Sequence, residues 1–239
     1  MKRRSTIAGV FLTTLVGIGA VVYLAQFAPV GSSSIEAADH IALSPHGEWP
    51  LKIQAGSLVA FWGDSNTAGS RLKLRNASFP TQFDQALAPT VTVSTQARGG
   101  ATASDALGWD DATQAPQVVI LMFGSNDADT RGILTPRSPI PVGEFKRDLA
   151  GLVDRHTQAG ATVVILAPPP VGSSAMQARL EPYRAAARDI AVERGVRFRD
   201  TGEAFDPGDT PLQSDKLHIN EVGQARLANW LLSLVAVEE

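Results

Sequence analysis

The sequence predicts an α/β fold, a three-layer α/β/α sandwich around a five-stranded parallel sheet of the flavodoxin-like type. Short apolar stretches alternate along the chain with amphipathic stretches of helical length, which is typical of a parallel sheet with helices on both faces. Two of the apolar stretches, 118–123 and 163–166, are uninterrupted. Uninterrupted apolar strands are expected at the centre of a parallel sheet, where helices cover both sides.

The elements follow in order from the apolar pattern. Five strands are predicted, at 58–62, 91–95, 117–123, 162–167 and 196–200. Four helices are predicted between and after them, at 79–87, 142–157, 176–194 and 221–235. In the second of these helices, Phe145, Leu149 and Val153 recur at the spacing of one helical face. Gly195 directly follows the third helix, at a position where a helix end favours glycine.

The N-terminus predicts a contact with the inner membrane. Residues 2–4 are Lys-Arg-Arg and precede an uncharged stretch over 7–28, and a membrane-crossing helix needs roughly 20 apolar residues. Gln26 lies two positions before Ala28, where a cleavage site requires a small residue. We therefore expect residues 1–28 to form an uncleaved signal anchor, with a cleaved signal peptide and a secreted protein as the alternative.

The rest of the chain divides into a spacer and one folded domain. Residues 29–56 are rich in glycine, serine and proline and are predicted to be the spacer, and residues 57–239 the domain. The basic N-terminus should remain in the cytoplasm. This orientation predicts a domain on the extracytoplasmic side, in the periplasm or at the cell surface.

The composition excludes several classes of function. The net charge is −3 over 239 residues, so that the basic face expected of a nucleic-acid-binding protein is lacking. The chain has no cysteine, which rules out a disulfide, a thiolate metal site and a cysteine nucleophile. Histidines and carboxylates do not cluster at metal-ligand spacing, and we therefore expect neither a metal nor another cofactor.

Polar residues follow the predicted strands where a ligand site is expected. Ligands of open parallel sheets bind outside the carboxyl ends of the strands. Ser65 follows the first predicted strand, Gly100 the second and Asn126 the third. Asp215 and His218 come just before the last helix. We expect these residues to converge on one edge of the sheet.

Two of these residues could activate Ser65 as a nucleophile. A serine hydroxyl needs a base, for which histidine is the usual choice. Of the four histidines, two lie in the spacer and His156 lies late in a helix, on its expected polar side. His218 remains, and Asp215 could bind its Nδ1 and leave Nε2 facing Ser65. Each motif alone could be an ordinary helix cap or turn, but their joint occurrence favours a catalytic site.

Four blocks of the sequence resemble the SGNH hydrolases, also called the GDSL esterase/lipase family. The resemblance extends from about residue 57 to the C-terminus. The blocks are Gly63-Asp64-Ser65-Asn66-Thr67, Gly100-Ala101-Thr102, Gly124-Ser125-Asn126-Asp127 and Asp215-Lys216-Leu217-His218. The chain departs from the family pattern at Asn66, where an apolar residue is usual.

The resemblance implies a role for each matching residue. Ser65 would be the nucleophile, His218 the base and Asp215 the residue that orients it. The oxyanion hole would consist of the backbone N–H groups of Ser65 and Gly100 and the side-chain amide of Asn126.

Two further acidic residues of the blocks are expected to support the site. Asp64 and Asp127 would hold their loops by hydrogen bonds rather than take part in the chemistry. The segment after the third block contains Arg131 and Arg137, which are predicted to form a substrate rim, with solvated loop arginines as the alternative.

These features predict a serine esterase. Its substrate would be an acyl ester, acetyl esters among them, of a carbohydrate or a small molecule outside the cytoplasmic membrane. An O-acyltransferase acting on a cell-surface polysaccharide is the alternative, because the same three residues would form the acyl-enzyme in both. A non-catalytic carbohydrate-binding domain is a third interpretation.

Overall fold

The computed structural model describes residues 47–74, 76–110, 114–129 and 138–239. The predicted anchor over 1–28, most of the predicted spacer and the rim residues Arg131 and Arg137 lie outside these ranges. Within them, none of the helices combines the length and the apolar character that a membrane crossing requires.

The described residues form seven strands and five α-helices. The strands are β1 (Leu51–Gln54), β2 (Leu58–Gly63), β3 (Thr92–Ala97), β4 (Val118–Met122), β5 (Thr162–Ala167), β6 (Arg197–Asp200) and β7 (Val235–Glu238). The helices are α1 (Phe79–Leu87), α2 (Ala103–Leu107), α3 (Val142–Gln158), α4 (Ser174–Arg194) and α5 (Glu221–Leu232). A short 3₁₀ helix covers Thr201–Ala204.

The central sheet confirms the predicted fold class. Its five strands run in the order β3-β2-β4-β5-β6, and all of its neighbouring strands are parallel. The chain moves from β2 to β3 on one side and then returns to β4 on the other. The resulting switch point, next to the carboxyl end of β2, is where open α/β sheets leave a crevice for a ligand.

Two apolar clusters cover the two faces of this sheet. Every residue of β4 is buried, which explains its uninterrupted apolar sequence. Phe61 and Trp62 are neighbours in β2 and point to opposite faces. Trp62 packs in the cluster formed with α2, α3 and α4, and Phe61 in the cluster formed with α1 and α5.

A second, two-stranded sheet was not predicted. β1 pairs in parallel with β7, with Leu51 opposite Val235. β1 lies inside the segment 29–56 that was predicted to be a spacer, so the folded part of the chain begins before residue 57. The predicted helix over 221–235 ends at Leu232, because Val235 enters β7. A four-residue strand carries too little pattern to be recognised without its distant partner.

His156 corrects another expectation. The sequence placed it on the polar side of α3, but the residue is only 3% exposed. Its ring packs edge-on against Trp62 with the ring centroids 4.6 Å apart. His156 is therefore a buried member of this aromatic cluster and not a solvent-exposed residue of the helix.

We predict that Gly63 cannot carry a side chain. An added Cβ would lie 2.1 Å from Thr67 Oγ1 and 2.9 Å from the carbonyl oxygen of Met122. Overpacking of this kind typically costs about 1–3 kcal/mol, and urea denaturation of Gly63→Ala should show that loss in the free energy of unfolding. Gly143→Ala is the control, because its Cβ enters open space in helix α3. Equal stability of the two variants would contradict the prediction.

Candidate active site

The turn after β2 holds Ser65 at the carboxyl edge of the sheet. The Asp64 carboxylate accepts a hydrogen bond from the Asn66 N–H at 2.8 Å. The carbonyl of Asp64 accepts from Ala68 N–H, and that of Ser65 from Ser70 N–H, both at 2.9 Å. These bonds close the turn around Ser65, which is only 4% exposed.

Three side chains from the first and last blocks form a continuous hydrogen-bonded chain. Ser65 Oγ lies 2.9 Å from His218 Nε2. On the other side of the imidazole, Nδ1 lies 2.6 Å from Asp215 Oδ2. The structure thus brings together the three residues that the sequence singled out, although Ser65 and His218 are 153 positions apart.

The Asp215 carboxylate is anchored by its own loop. Its Oδ1 accepts hydrogen bonds from the backbone N–H groups of Leu217 and His218, each at 3.0 Å. Partial burial opposes ionisation of the carboxyl, but the bonds from the His218 ring and from these two N–H groups outweigh it and lower the pKa of Asp215 to about 2. The carboxylate is therefore charged at neutral pH and fixes the proton of the imidazole on Nδ1.

Asn66 connects the serine turn to the histidine loop. Its side-chain oxygen accepts the N–H of Ile219 at 3.0 Å, and its carbonyl accepts from Gln224 Nε2 at 3.0 Å. Gln224 Oε1 in turn accepts the N–H of Phe79 at 2.7 Å. The sequence analysis did not predict that Asn66 connects these two segments. The signal was present, because Asn66 is polar at a position where the family usually has an apolar residue.

The third block approaches the second. Asn126 Nδ2 donates to the carbonyl of Ala101 at 2.9 Å, and Asp127 Oδ1 accepts the N–H of Ala103 at 3.2 Å. Gly100 has a φ of +81°, in the left-handed region that favours glycine. Within the described residues, the N–H groups of Ser65 and Gly100 donate no hydrogen bond and so remain available to a ligand.

Asp64 is a buried acid next to the imidazole. Desolvation raises its pKa to about 6, against the opposing effects of the hydrogen bond from the Asn66 N–H and of the nearby His218. Among the described residues, no group of three or more histidines and carboxylates is arranged to hold a metal ion.

A buried serine that is hydrogen-bonded to a histidine–aspartate pair, with N–H donors beside it, is the arrangement that serine hydrolases use. Residues 61–226 match the family described as GDSL-like lipase/acylhydrolase. The chain belongs to this family and is an ester-hydrolysing enzyme of the SGNH type.

Solved structures of similar fold include several esterases. An alpha/beta hydrolase from the metagenome of Lake Arreo has a TM-score of 0.64 at 24% identity, covering 76% of this chain and 95% of its own. An acetylxylan esterase from Geobacillus stearothermophilus has a TM-score of 0.63 at 22% identity, covering 79% and 98%. A lipase/acylhydrolase from Enterococcus faecalis has a TM-score of 0.61 at 22% identity, covering 74% and 93%. No curated protein matches the chain.

The raised pKa of Asp64 predicts a loss of stability as the pH rises. Below about pH 3 the carboxyl is protonated in both the folded and the unfolded state and does not lower the free energy of unfolding. Between pH 4 and 6 the unfolded chain releases the proton while the folded chain keeps it, which favours unfolding. Above that range the cost is constant, at roughly 3 kcal/mol for a shift of about two pKa units.

Asp64→Asn removes this titration and keeps an acceptor oxygen for the turn. We expect its free energy of unfolding, relative to wild type, to rise by roughly 3 kcal/mol between pH 3 and pH 7 in urea denaturation. Asp110→Asn, at an exposed position, is the control and should follow wild type at every pH. If the curves of Asp64→Asn and wild type ran parallel, the buried acid would have no such effect.

Proposed function

We propose that this protein is a serine esterase that hydrolyses acyl esters, acetyl esters foremost, of a carbohydrate or a small molecule outside the cytoplasmic membrane. The observation that carries the proposal is the 2.9 Å contact between Ser65 Oγ and His218 Nε2. That distance is short enough for direct proton transfer from the hydroxyl to the imidazole.

The reaction proceeds through an acyl-enzyme. Ser65 Oγ attacks the acyl carbon while His218 Nε2 takes its proton, and Asp215 stabilises the resulting imidazolium. The bond between the acyl carbon and the alcohol oxygen then breaks, and His218 returns the proton to the leaving alcohol. Water repeats the sequence, giving its proton to His218 and releasing the acid and free Ser65.

Three donors stabilise the negative oxygen of the tetrahedral intermediate. They are the N–H groups of Ser65 and Gly100 and the side-chain amide of Asn126. The assignment of the two N–H groups is supported because neither donates a hydrogen bond to another acceptor within the described residues. The assignment of the Asn126 amide is supported by its hydrogen bond to the Ala101 carbonyl, which holds it beside Gly100. The amide would then not need to reorient during the reaction.

A polar recess beside Gly100 supports a hydroxyl-rich alcohol as the leaving group. It has a volume of about 380 Å³, and its lining includes Arg98, Asp105 and Trp109. Charged and backbone groups of this kind can donate to and accept from sugar hydroxyls. A structural neighbour from Geobacillus stearothermophilus is an acetylxylan esterase, which supports the same class of substrate.

The N-terminal sequence supports the proposed location. The basic residues 2–4 and the uncharged stretch over 7–28 have the order that places a following domain outside the cytoplasmic membrane. Protease accessibility of the domain in intact and in permeabilised cells tests this location.

Replacement of the nucleophile should abolish turnover. We expect Ser65→Ala to reduce kcat for p-nitrophenyl acetate by at least about 10⁴-fold and His218→Ala to do so to a similar extent. Ser57→Ala is the matched control, because its hydroxyl binds the Gln54 carbonyl before β2 begins, away from the site. A serine-directed fluorophosphonate should label wild type and Ser57→Ala, but not Ser65→Ala. Turnover by Ser65→Ala at the wild-type rate would refute the proposal.

Replacement of the proposed oxyanion donor should act on the chemical step. We expect Asn126→Ala to lower kcat by about 10²–10³-fold with little change in KM, because the amide binds charge that exists only in the transition state. Asn229→Ala, on the exposed face of α5, is the control and should retain wild-type kinetics. A rise in KM at constant kcat would instead assign Asn126 to substrate binding.

A further inference from the structure

Arg71 is bonded to the carboxylate that orients the proposed base. Its Nη1 lies 2.9 Å from Asp215 Oδ2, the same oxygen that lies 2.6 Å from His218 Nδ1. Arg71 belongs to the turn that begins at Ser65, whereas Asp215 belongs to the loop before α5. One charged hydrogen bond therefore joins the two segments that carry the serine and the histidine.

The backbone of Arg71 adopts a conformation that is costly for arginine. Its φ is +65°, in the left-handed region, where a non-glycine residue typically costs about 1 kcal/mol or more. The nearby Gly69 has the same φ of +65° without that cost. A strained residue beside a reactive group indicates that its side chain contributes something that glycine would not.

Orientation of the carboxylate does not by itself require Arg71. Asp215 Oδ1 is already held by the N–H groups of Leu217 and His218, and Oδ2 by the imidazole. The guanidinium adds a positive charge 2.9 Å from the shared oxygen, Asp215 Oδ2. That charge draws electron density away from the bond to the imidazole and repels the imidazolium form.

We propose that Arg71 is a positioning residue, which clamps the Asp215–His218 pair to the serine turn and weakens the hold of the imidazole on its second proton. The inference rests on the proposed function, because it gives Arg71 an effect on the base of that reaction. Its consequence is a base that stays unprotonated, and therefore active, at lower pH than it would without the arginine.

Other charged groups near the pair act in different directions. Asp64, buried at the end of β2, favours the imidazolium and so opposes Arg71. Lys216 lies within the same loop as the pair, and Lys73 lies farther along the serine turn, where its N–H donates to Glu221 at 2.9 Å. Among the described arginines and lysines, Arg71 is the residue that forms an ion pair with Asp215.

The pH dependence of kcat/KM for p-nitrophenyl acetate tests the proposal in the full-length protein. In Arg71→Gln we expect the acidic limb to move to higher pH by about half a unit, a modest shift because the Arg71 side chain is 65% exposed. Arg71→Lys keeps the charge and should restore most of the wild-type profile. Lys73→Gln removes a cation from the same turn, one that is not bonded to Asp215, and should leave the limb in place.

The outcomes separate this inference from the proposed function. An unchanged acidic limb in Arg71→Gln, even with a lowered Tm, would reduce Arg71 to a structural contact and overturn the proposal. An equal shift in Lys73→Gln would do so as well, because any cation of the turn would then suffice. Ser65→Ala, assayed in parallel, must be inactive, since residual wild-type activity there would refute the proposed function itself. If Arg71→Gln does not fold, Arg71→Asn takes its place, because asparagine tolerates the left-handed backbone.

Discussion

The site depends on the hydrogen bonds that join the serine turn to the loop before α5. Ser65 and His218 belong to segments far apart in sequence, and the 2.9 Å distance between Ser65 Oγ and His218 Nε2 is maintained without a covalent link. Asn66 provides the buried part of that connection through Ile219 and Gln224. Misplacement of reacting groups by about 1 Å can cost a hundredfold in rate, so under the proposed function these buried amides would matter to the chemistry as well as to stability.

Two aspartates of the site illustrate how environment sets the charge of identical side chains. Asp64 is fully buried, and desolvation raises its pKa to about 6. Asp215 is also partly desolvated, but hydrogen bonds from the imidazole and two N–H groups lower its pKa to about 2. The first can support its turn with a proton still bound, whereas the second must be ionised to orient the imidazole.

The sequence predicted the features that depend on local pattern. Uninterrupted apolar residues identified β4 and β5, and the order of strands and helices identified the parallel sheet. The convergence of Ser65, His218 and Asp215 followed from the rule that parallel strands end at one edge of the sheet. These features follow from the order and the apolar pattern of the elements, so they can be predicted without knowing which side chains are in contact.

The features that the sequence did not predict depend on contacts between distant segments. β1 and β7 are each four residues long, and they pair with each other across most of the described sequence. His156 carries a polar group into the aromatic cluster around Trp62, against the usual pattern of an amphipathic helix. Arg71 gave no signal at all, because its left-handed backbone and its partner are visible only in three dimensions.

The position of β2 explains why one sheet edge can supply every part of the site. β2 lies between β3 and β4, and the segments that follow these two neighbours carry Gly100 and Asn126, whose side-chain amide donates to the carbonyl of Ala101. Under the proposed function these donors would face the oxygen attached to the carbon that Ser65 attacks, while His218 lies in the separate loop before α5. A sheet whose strands followed in sequence order would leave Ser65 at an edge, with a neighbour on only one side. The switch in strand order is thus the constraint that turns four short blocks of sequence into a single site.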